Sequence, residues 1–317
     1  MATGPEGLTV VVIPLLGGDE LAACLDSLPL RDGGMECVVV LRDDMTAHST
    51  VSWTGRYPSV TFLDGGARPV PLRRQLGVEA ARGAVVALIE DTTRPDPGWC
   101  DAIRAAFADP SVAAAGGPVR IAAGLPSRFQ ALGWSEYGTF QAKRFLRLAV
   151  DAAERGDKLA AGRPIGVTRL PGNNIAFRRA ALHDLLRPGG IGLVEGEVCD
   201  ALRARGHRLL CQPAMSVTYA APDRHGAALA TRLRHGRIYG AARVEGRGWM
   251  RRFAFAAKAM LLPGVLSART LSAMGGGVRP AAVPSVALWV GLMESAWALG
   301  EAVGALAGAG DSLEAWR

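Results

Sequence analysis

Neither of the two glycine-rich phosphate loops occurs in this sequence. No G-x-G-x-x-G follows an apolar run at its start, and no G-x-x-x-x-G-K-[ST] occurs anywhere. A dinucleotide dehydrogenase and a P-loop nucleotidase are therefore poorly supported, because both hold phosphate on backbone amides that such glycines expose. Paired cysteines are missing as well. The five cysteines, Cys24, Cys37, Cys100, Cys199 and Cys211, form no C-x-x-C and no metal-ligand spacing, so reduced thiols acting as small apolar side chains are expected. Met1 to Gly7 have neither a basic start nor an apolar stretch. No secretory leader is expected, and the chain should stay on the side where it is made. The arginines are scattered and no nucleic-acid module signature is present, so no nucleic-acid partner is expected. The net charge of +7 instead suits a phosphate-bearing substrate or an anionic membrane face.

What is present is a large core. Hydrophobic residues make up 49% and charged residues 21% of the 317, enough for one large α/β domain or for a core domain plus an appendage. Leu8 to Ile13, Glu36 to Leu41, Ser59 to Leu63, Ala84 to Ile89 and Val112 to Ala115 read as strands. Helical stretches separate them, such as Asp19 to Leu28, where Leu21, Cys24, Leu25 and Leu28 recur on one face. Strands apolar on both faces that alternate with helices predict a mostly parallel, doubly wound sheet covered on both sides. Further on, Ser127 to Leu148 and Val198 to Arg205 read as helices, and a turn at Pro171 to Asn174 precedes a short strand.

The strand ends carry the functional signal. Ile13 runs into Pro14, Leu41 into Arg42-Asp43-Asp44, Leu63 into Asp64-Gly65-Gly66, and Ile89 into Glu90-Asp91. Open parallel sheets bind ligands beyond the carboxyl ends of their strands, so these loops predict one polar rim. With no phosphate loop, carboxylates and a metal would have to manage the phosphates of any nucleotide there.

The last third is different. Phe253 to Leu266 is apolar apart from Lys258, and Ala281 to Met293 carries no charge, with Glu294 and Glu301 the interruptions before Ala309. The uncharged run is shorter than the ~20 residues of a membrane span. The two acids project from one helix face, with Lys258 and Arg269 as candidate partners. A helix pair in or on the membrane interface and a buried hairpin or oligomer seam both fit. The expected division is a catalytic domain over 1–225 and a membrane-associating helical region over 226–317.

The motifs in their order resemble those of the family-2 glycosyltransferases, inverting enzymes of the GT-A fold, over about residues 8 to 240. Val11-Val12-Ile13-Pro14 with Leu21-x-x-Cys24-Leu25-x-Ser27-Leu28 is similar to that family's first strand and helix, and Val38 to Asp43 to its second strand. Arg74-Gln75-Leu76-Gly77 followed by Ala81-x-Gly83 resembles its R-N-x-G helix. Glu90-Asp91-Thr92 with Pro95 and Pro97-Gly98-Trp99 resembles the strand bearing its D-x-D element, with Thr92 in place of the second acid. Gly116 to Val119 and Pro171 to Arg179 continue in register.

The resemblance implies transfer of a sugar from a nucleotide-diphosphate sugar to a lipid-linked or glycan acceptor at the cytoplasmic membrane face, by a peripheral or monotopic enzyme. It implies nucleotide contacts from Pro14, Asp43, Arg74 and Glu90, with Arg232 and Arg237 closing over the diphosphate or, alternatively, facing anionic lipid headgroups. Asn173 and Asn174 would face donor or acceptor sugar. The leaving diphosphate needs neutralising, by Mg2+ or Mn2+ held on Asp91 and Thr92, and a separate base must take the acceptor proton. Glu197 is the first candidate base and Glu195 the second. Two other readings remain. A catalytically degenerate GT-A domain serving as a binding or assembly module fits the Thr92 substitution. A nucleotidyltransferase would need a basic glycine-rich loop, and Leu15-Leu16-Gly17-Gly18 has no cation beside it.

Overall fold

The runs rich in β-branched residues become adjacent strands of an eight-stranded sheet. The computed structural model describes residues 7–30, 34–46, 50–141, 163–183, 185–186, 192–220, 228–274 and 277–316. Strand β1 (Leu8–Ile13) leads through helix α1 (Gly18–Asp26) to β2 (Glu36–Leu41). Short helices α2 (Asp43–Thr46) and α3 (Thr50–Arg56) lead to β3 (Val60–Asp64), and α4 (Val70–Ala80) leads to β4 (Val85–Glu90). All four strands run parallel. Every residue of β1 and β4 is buried, which is why these strands are continuously apolar instead of alternating.

Beyond β4 come β5 (Thr93–Pro95), α5 (Trp99–Phe107), β6 (Val112–Gly116), β7 (Val119–Ile121) and α6 (Ser127–Tyr137). They are followed by β8 (Ile165–Gly166), β9 (Asn174–Arg178), α7 (Arg179–His183), α8 (Glu195–Ala204), β10 (Arg208–Cys211) and β11 (Val217–Tyr219). The large sheet has the order β3-β2-β1-β4-β9-β6-β10-β8, and β5, β11 and β7 make a small second sheet. Strand β9 lies antiparallel to both β4 and β6, so the expected sheet is largely but not wholly parallel. Helix α6 ends at Tyr137, short of the expected Leu148, and residues 142–148 lie outside the described residues. Helix α8 starts three residues earlier than its apolar pattern suggests. Val194 adopts an extended N-cap conformation, which places Glu195 and Glu197 in the first turn, where the helix dipole favours acids.

The chain divides into two compact units. The first comprises Met1–Arg120 and Phe140–Ala221, the second Ile121–Thr139 and Pro222–Arg317. Compared with a division at 225/226, the second unit also takes in α6, because Ala131, Leu132 and Trp134 pack with Val286, Val290 and Met293.

That second unit adds helices α9 (Ala228–Arg243), α10 (Trp249–Ala259), α11 (Leu262–Met274) and α12 (Val283–Ala307). Helices α9 and α12 touch through glycines on both sides. A Cβ on Gly240 would lie 2.2 Å from the Glu301 carbonyl oxygen, and one on Gly300 would lie 2.1 Å from that of Leu233, so only glycine permits this approach. The segment Pro280–Ala307 is long and apolar enough to cross a membrane, a test that core helices of soluble proteins also pass. Leu288, Leu292, Leu299 and Leu306 form an exposed stripe along it.

Glu294 and Glu301 are both buried on α12. Their partners are not Lys258 and Arg269. Arg232 of α9 bonds Glu294 at 2.9 Å and Glu136 at 2.9 Å, and Thr270 donates to Glu294 at 3.1 Å. Glu301 accepts from the Trp297 indole at 2.8 Å. The close α9–α12 contact brings Arg232 in, and no pattern within the apolar stretch could signal it.

Candidate active site at the carboxyl ends of the strands

Strand order reverses at β1. The chain proceeds outward through β2 and β3, then returns to place β4 on the other side of β1. Such a switch point opens a crevice beyond the strand ends. The register pairs Ile13 with Glu90, so Pro14 and the Glu90-Asp91-Thr92 turn leave the sheet side by side.

Asp91 is fully buried there. One carboxylate oxygen accepts the Leu15 amide at 2.8 Å, and the other accepts those of Leu16 at 3.0 Å and Gly17 at 2.7 Å. Burial raises its pKa while the three amides pull it back, leaving it above the usual range. The carboxylate thus shapes the β1–α1 turn, and both oxygens are engaged before any cation arrives. The Thr92 hydroxyl bonds Glu90 at 3.4 Å. Among the described residues no three His, Cys, Asp or Glu side chains converge as a metal site.

Arg74, on α4, is the hub of the rim. It bonds Glu90 at 3.0 Å, Glu195 at 2.7 Å and the Gly172 carbonyl at 3.3 Å. One guanidinium fork therefore joins α4, β4, the Pro171–Asn174 turn and the start of α8. Burial raises the Glu90 pKa, Arg74 opposes that, and the net shift is upward. Glu195 and Glu197 part company. Residues two apart on a helix point about 200° apart, so with Glu195 turned to Arg74, Glu197 faces elsewhere and is exposed.

The two asparagines also separate. Asn174 accepts from the Trp99 indole at 2.9 Å and donates to the carbonyls of Gly117 at 3.1 Å and Met215 at 2.7 Å, a structural pin. Asn173 is buried to 1% exposure with neither amide atom hydrogen-bonded. Asp43 begins α2 in an exposed position, its carboxylate accepting the Asp44 amide. Pro14 presents its carbonyl to Arg73 at 2.8 Å. Arg232 and Arg237 belong to the second unit. Arg232 is held in the ion pairs described above, and Arg237 donates to the Gly308 carbonyl at 2.9 Å, just past the C-terminus of α12, where the helix dipole favours a cation.

Two basic residues at the rim were not among the expected site residues. Arg42 pairs with Asp44 and reaches the Leu15 carbonyl at 3.4 Å. Arg73 has no exposed surface, and its Nε and Nη2 have no partner. Burial, then the charge of Arg42, lowers its pKa to about 10. The signal available was only that Arg73 adjoins Arg74 in a helix following a strand end.

No protein-family model matches the chain, and no curated protein matches it in sequence. Solved structures do. A mannosyltransferase, PcManGT from Pyrobaculum calidifontis in complex with GDP-Man and Mn2+, superimposes with a TM-score of 0.57 at 17% identity, over 95% of this chain and 88% of that one. GalNAc-T7 with UDP, GalNAc and Mn2+ gives a TM-score of 0.50 at 14% identity, over 69% of this chain and 45% of that one. The chain has the α/β fold of these GT-A-type glycosyltransferases. Both of these neighbours were solved with Mn2+.

Proposed function

We propose that this chain is an inverting glycosyltransferase of the family-2 kind, using a nucleotide-diphosphate sugar as donor. The observation that carries the reading is the Glu90–Arg74–Glu195 cluster at the β1/β4 switch point of this fold. In the transfer, the bond from the anomeric carbon to the diphosphate oxygen breaks and the diphosphate leaves with the electron pair. The acceptor oxygen bonds the same carbon from the opposite face, and its proton passes to a carboxylate. Glu195 is the favoured base, because Arg74 holds its carboxylate toward the rim while Glu197 points away. Asn173, buried and unpartnered, is suited to hydrogen-bond a sugar hydroxyl.

A divalent cation belongs to the proposal through the Mn2+ of the two neighbours. With Asp91 engaged by the β1–α1 turn, the oxygen donors that remain are Glu90 and Thr92, a single carboxylate that fits Mg2+ or Mn2+ weakly. Bound there, the cation would neutralise charge on the leaving diphosphate.

The acceptor is proposed to be lipid-linked or a glycan, met at the cytoplasmic membrane face. Support comes from the exposed leucine stripe of α12 and from Trp249, Met250 and Phe253 of α10, exposed beside the cations Arg247 and Arg251. All five cysteines are free and buried, in keeping with a reducing compartment. One observation favours a second reading, a binding module without turnover: Asp91 is taken up by structure and Thr92 replaces the other acid.

Thermal shift with UDP, GDP and dTDP, with and without Mn2+, followed by donor hydrolysis for each nucleotide that binds, separates the two. Binding with turnover supports the transferase. Tight binding with none supports the module, and absence of any nucleotide binding removes both.

A further inference from the structure

Arg73 has a defined place in the fold but too few partners. Its Nη1 donates to the Pro14 carbonyl, while Nε and Nη2 have no acceptor and the side chain has no exposed surface. Leaving guanidinium N–H groups unpaired in a dry site is costly.

Three surroundings make this more than a packing accident. Gly65 clears the side chain's path: a Cβ there would stand 2.9 Å from Arg73 Cδ and 2.6 Å from the Leu41 carbonyl oxygen. Arg42 reaches the Leu15 carbonyl, so two like-charged guanidiniums address consecutive carbonyls of the β1–α1 turn. Asp44 pairs with Arg42, but the acids nearest Arg73 bond elsewhere, Asp91 to three amides and Glu90 to Arg74. Two cations side by side, one with N–H groups unused, form an arrangement that an anion completes.

We propose that Arg73, with Arg42 beside it, receives the diphosphate of the donor at the β1/β4 crevice, supplying positive charge that the reduced carboxylate set draws weakly from a metal. This rests on the glycosyltransferase reading above. Arginine suits the task because its planar fork binds two phosphate oxygens at once. Binding of a nucleoside diphosphate should then persist without metal and depend on Arg73 only through the phosphates.

The test is equilibrium binding to the full chain of UDP, GDP, uridine, guanosine and inorganic pyrophosphate, each in EDTA and in Mn2+. Arg73→Met is expected to weaken the nucleoside diphosphate and pyrophosphate about 10- to 100-fold, as for lost hydrogen bonds to a charged group. Nucleoside affinity should be unchanged, and Arg73→Lys should fall between. If Arg73→Met melts, Arg42→Gln carries the test, with a phosphate-only loss of about 3- to 10-fold. The proposal is overturned if the wild type binds a nucleoside diphosphate and the folded variants bind it equally well, or if nucleosides weaken in parallel; the transferase reading survives either result. Arg73-dependent pyrophosphate binding with no nucleotide binding keeps the anion site and removes the nucleotide-sugar reading. No binding of nucleotide or pyrophosphate to the wild type removes both.

Discussion

In the helical unit, Arg232 meets two carboxylates and lies over the Trp297 ring at 4.4 Å; in the sheet unit, Arg73 meets one backbone carbonyl. Both guanidiniums are buried. Arg232 leaves only Nε unpartnered, whereas Arg73 leaves Nε and Nη2 with no carboxylate bonded to it among the described residues. A buried cation whose charge is answered by two acids holds helices together. One answered only by a carbonyl, at a strand-end crevice, is arranged for something outside the chain. The acids differ in the same sense. Glu294 is shut in against Arg232 with 3% of its side chain open, while Glu195 is bonded to Arg74 yet keeps 27% open.

Changes in the two units should therefore act on different readouts. The largest effect is expected from Glu195→Gln, which keeps an oxygen for Arg74 but cannot take a proton. Turnover should fall about 10²- to 10⁴-fold with nucleotide affinity retained, as read from steady-state rates beside calorimetry; an unchanged rate would return the base assignment to Glu197. Arg232→Met should instead act on stability, by about 3–5 kcal/mol in urea unfolding, because it strands Glu136 and Glu294. Replacing Arg232, Glu136 and Glu294 together by apolar residues of similar volume should restore much of that loss.

Acid sharpens the contrast. Burial would raise the Glu136 pKa, but Arg232 and His235 outweigh it and hold it near about 2 instead of 4.5. A depressed carboxyl contributes stability above its unfolded value that is lost as pH falls. The helical unit should therefore weaken by about 3 kcal/mol from pH about 4.5 down to about 2, followed by tryptophan fluorescence. The Glu136→Gln variant should show a smaller acid loss. The smallest effect is expected from Asp91→Asn. The amide keeps an oxygen for the turn but gives up the charge and one acceptor, at about 1–3 kcal/mol of stability. A large loss of Mn2+ affinity without loss of stability would instead make Asp91 the metal ligand.

Much of the sheet was legible, because strand character is written locally. Leu8 to Ile13, Glu36 to Leu41 and Ala84 to Ile89 are apolar runs of strand length, and strands form at Leu8–Ile13, Glu36–Leu41 and Val85–Glu90. The rim was legible as a set of loops, since strand ends inherit their positions from the strands. Roles within it were not. Whether Glu195 or Glu197 faces the cleft depended on where α8 begins, which apolar spacing from Val198 onward misplaced by three residues. Asn173 and Asn174 are neighbours of one type, and only the Trp99 indole and the carbonyls of Gly117 and Met215 distinguish them.

By itself, then, the sequence determined the succession of strands and helices, the acids and glycines at the strand ends, and the apolar character of the last third, because each depends on residues a few positions apart. Tertiary structure alone decided that Asp91 grips amides 74 to 76 positions away, that Arg232 finds Glu294 62 positions away, and that Arg73 is buried without an acid. Hydrogen-bond partners across such separations are chosen by how the elements pack, and no local pattern of residues carries that information.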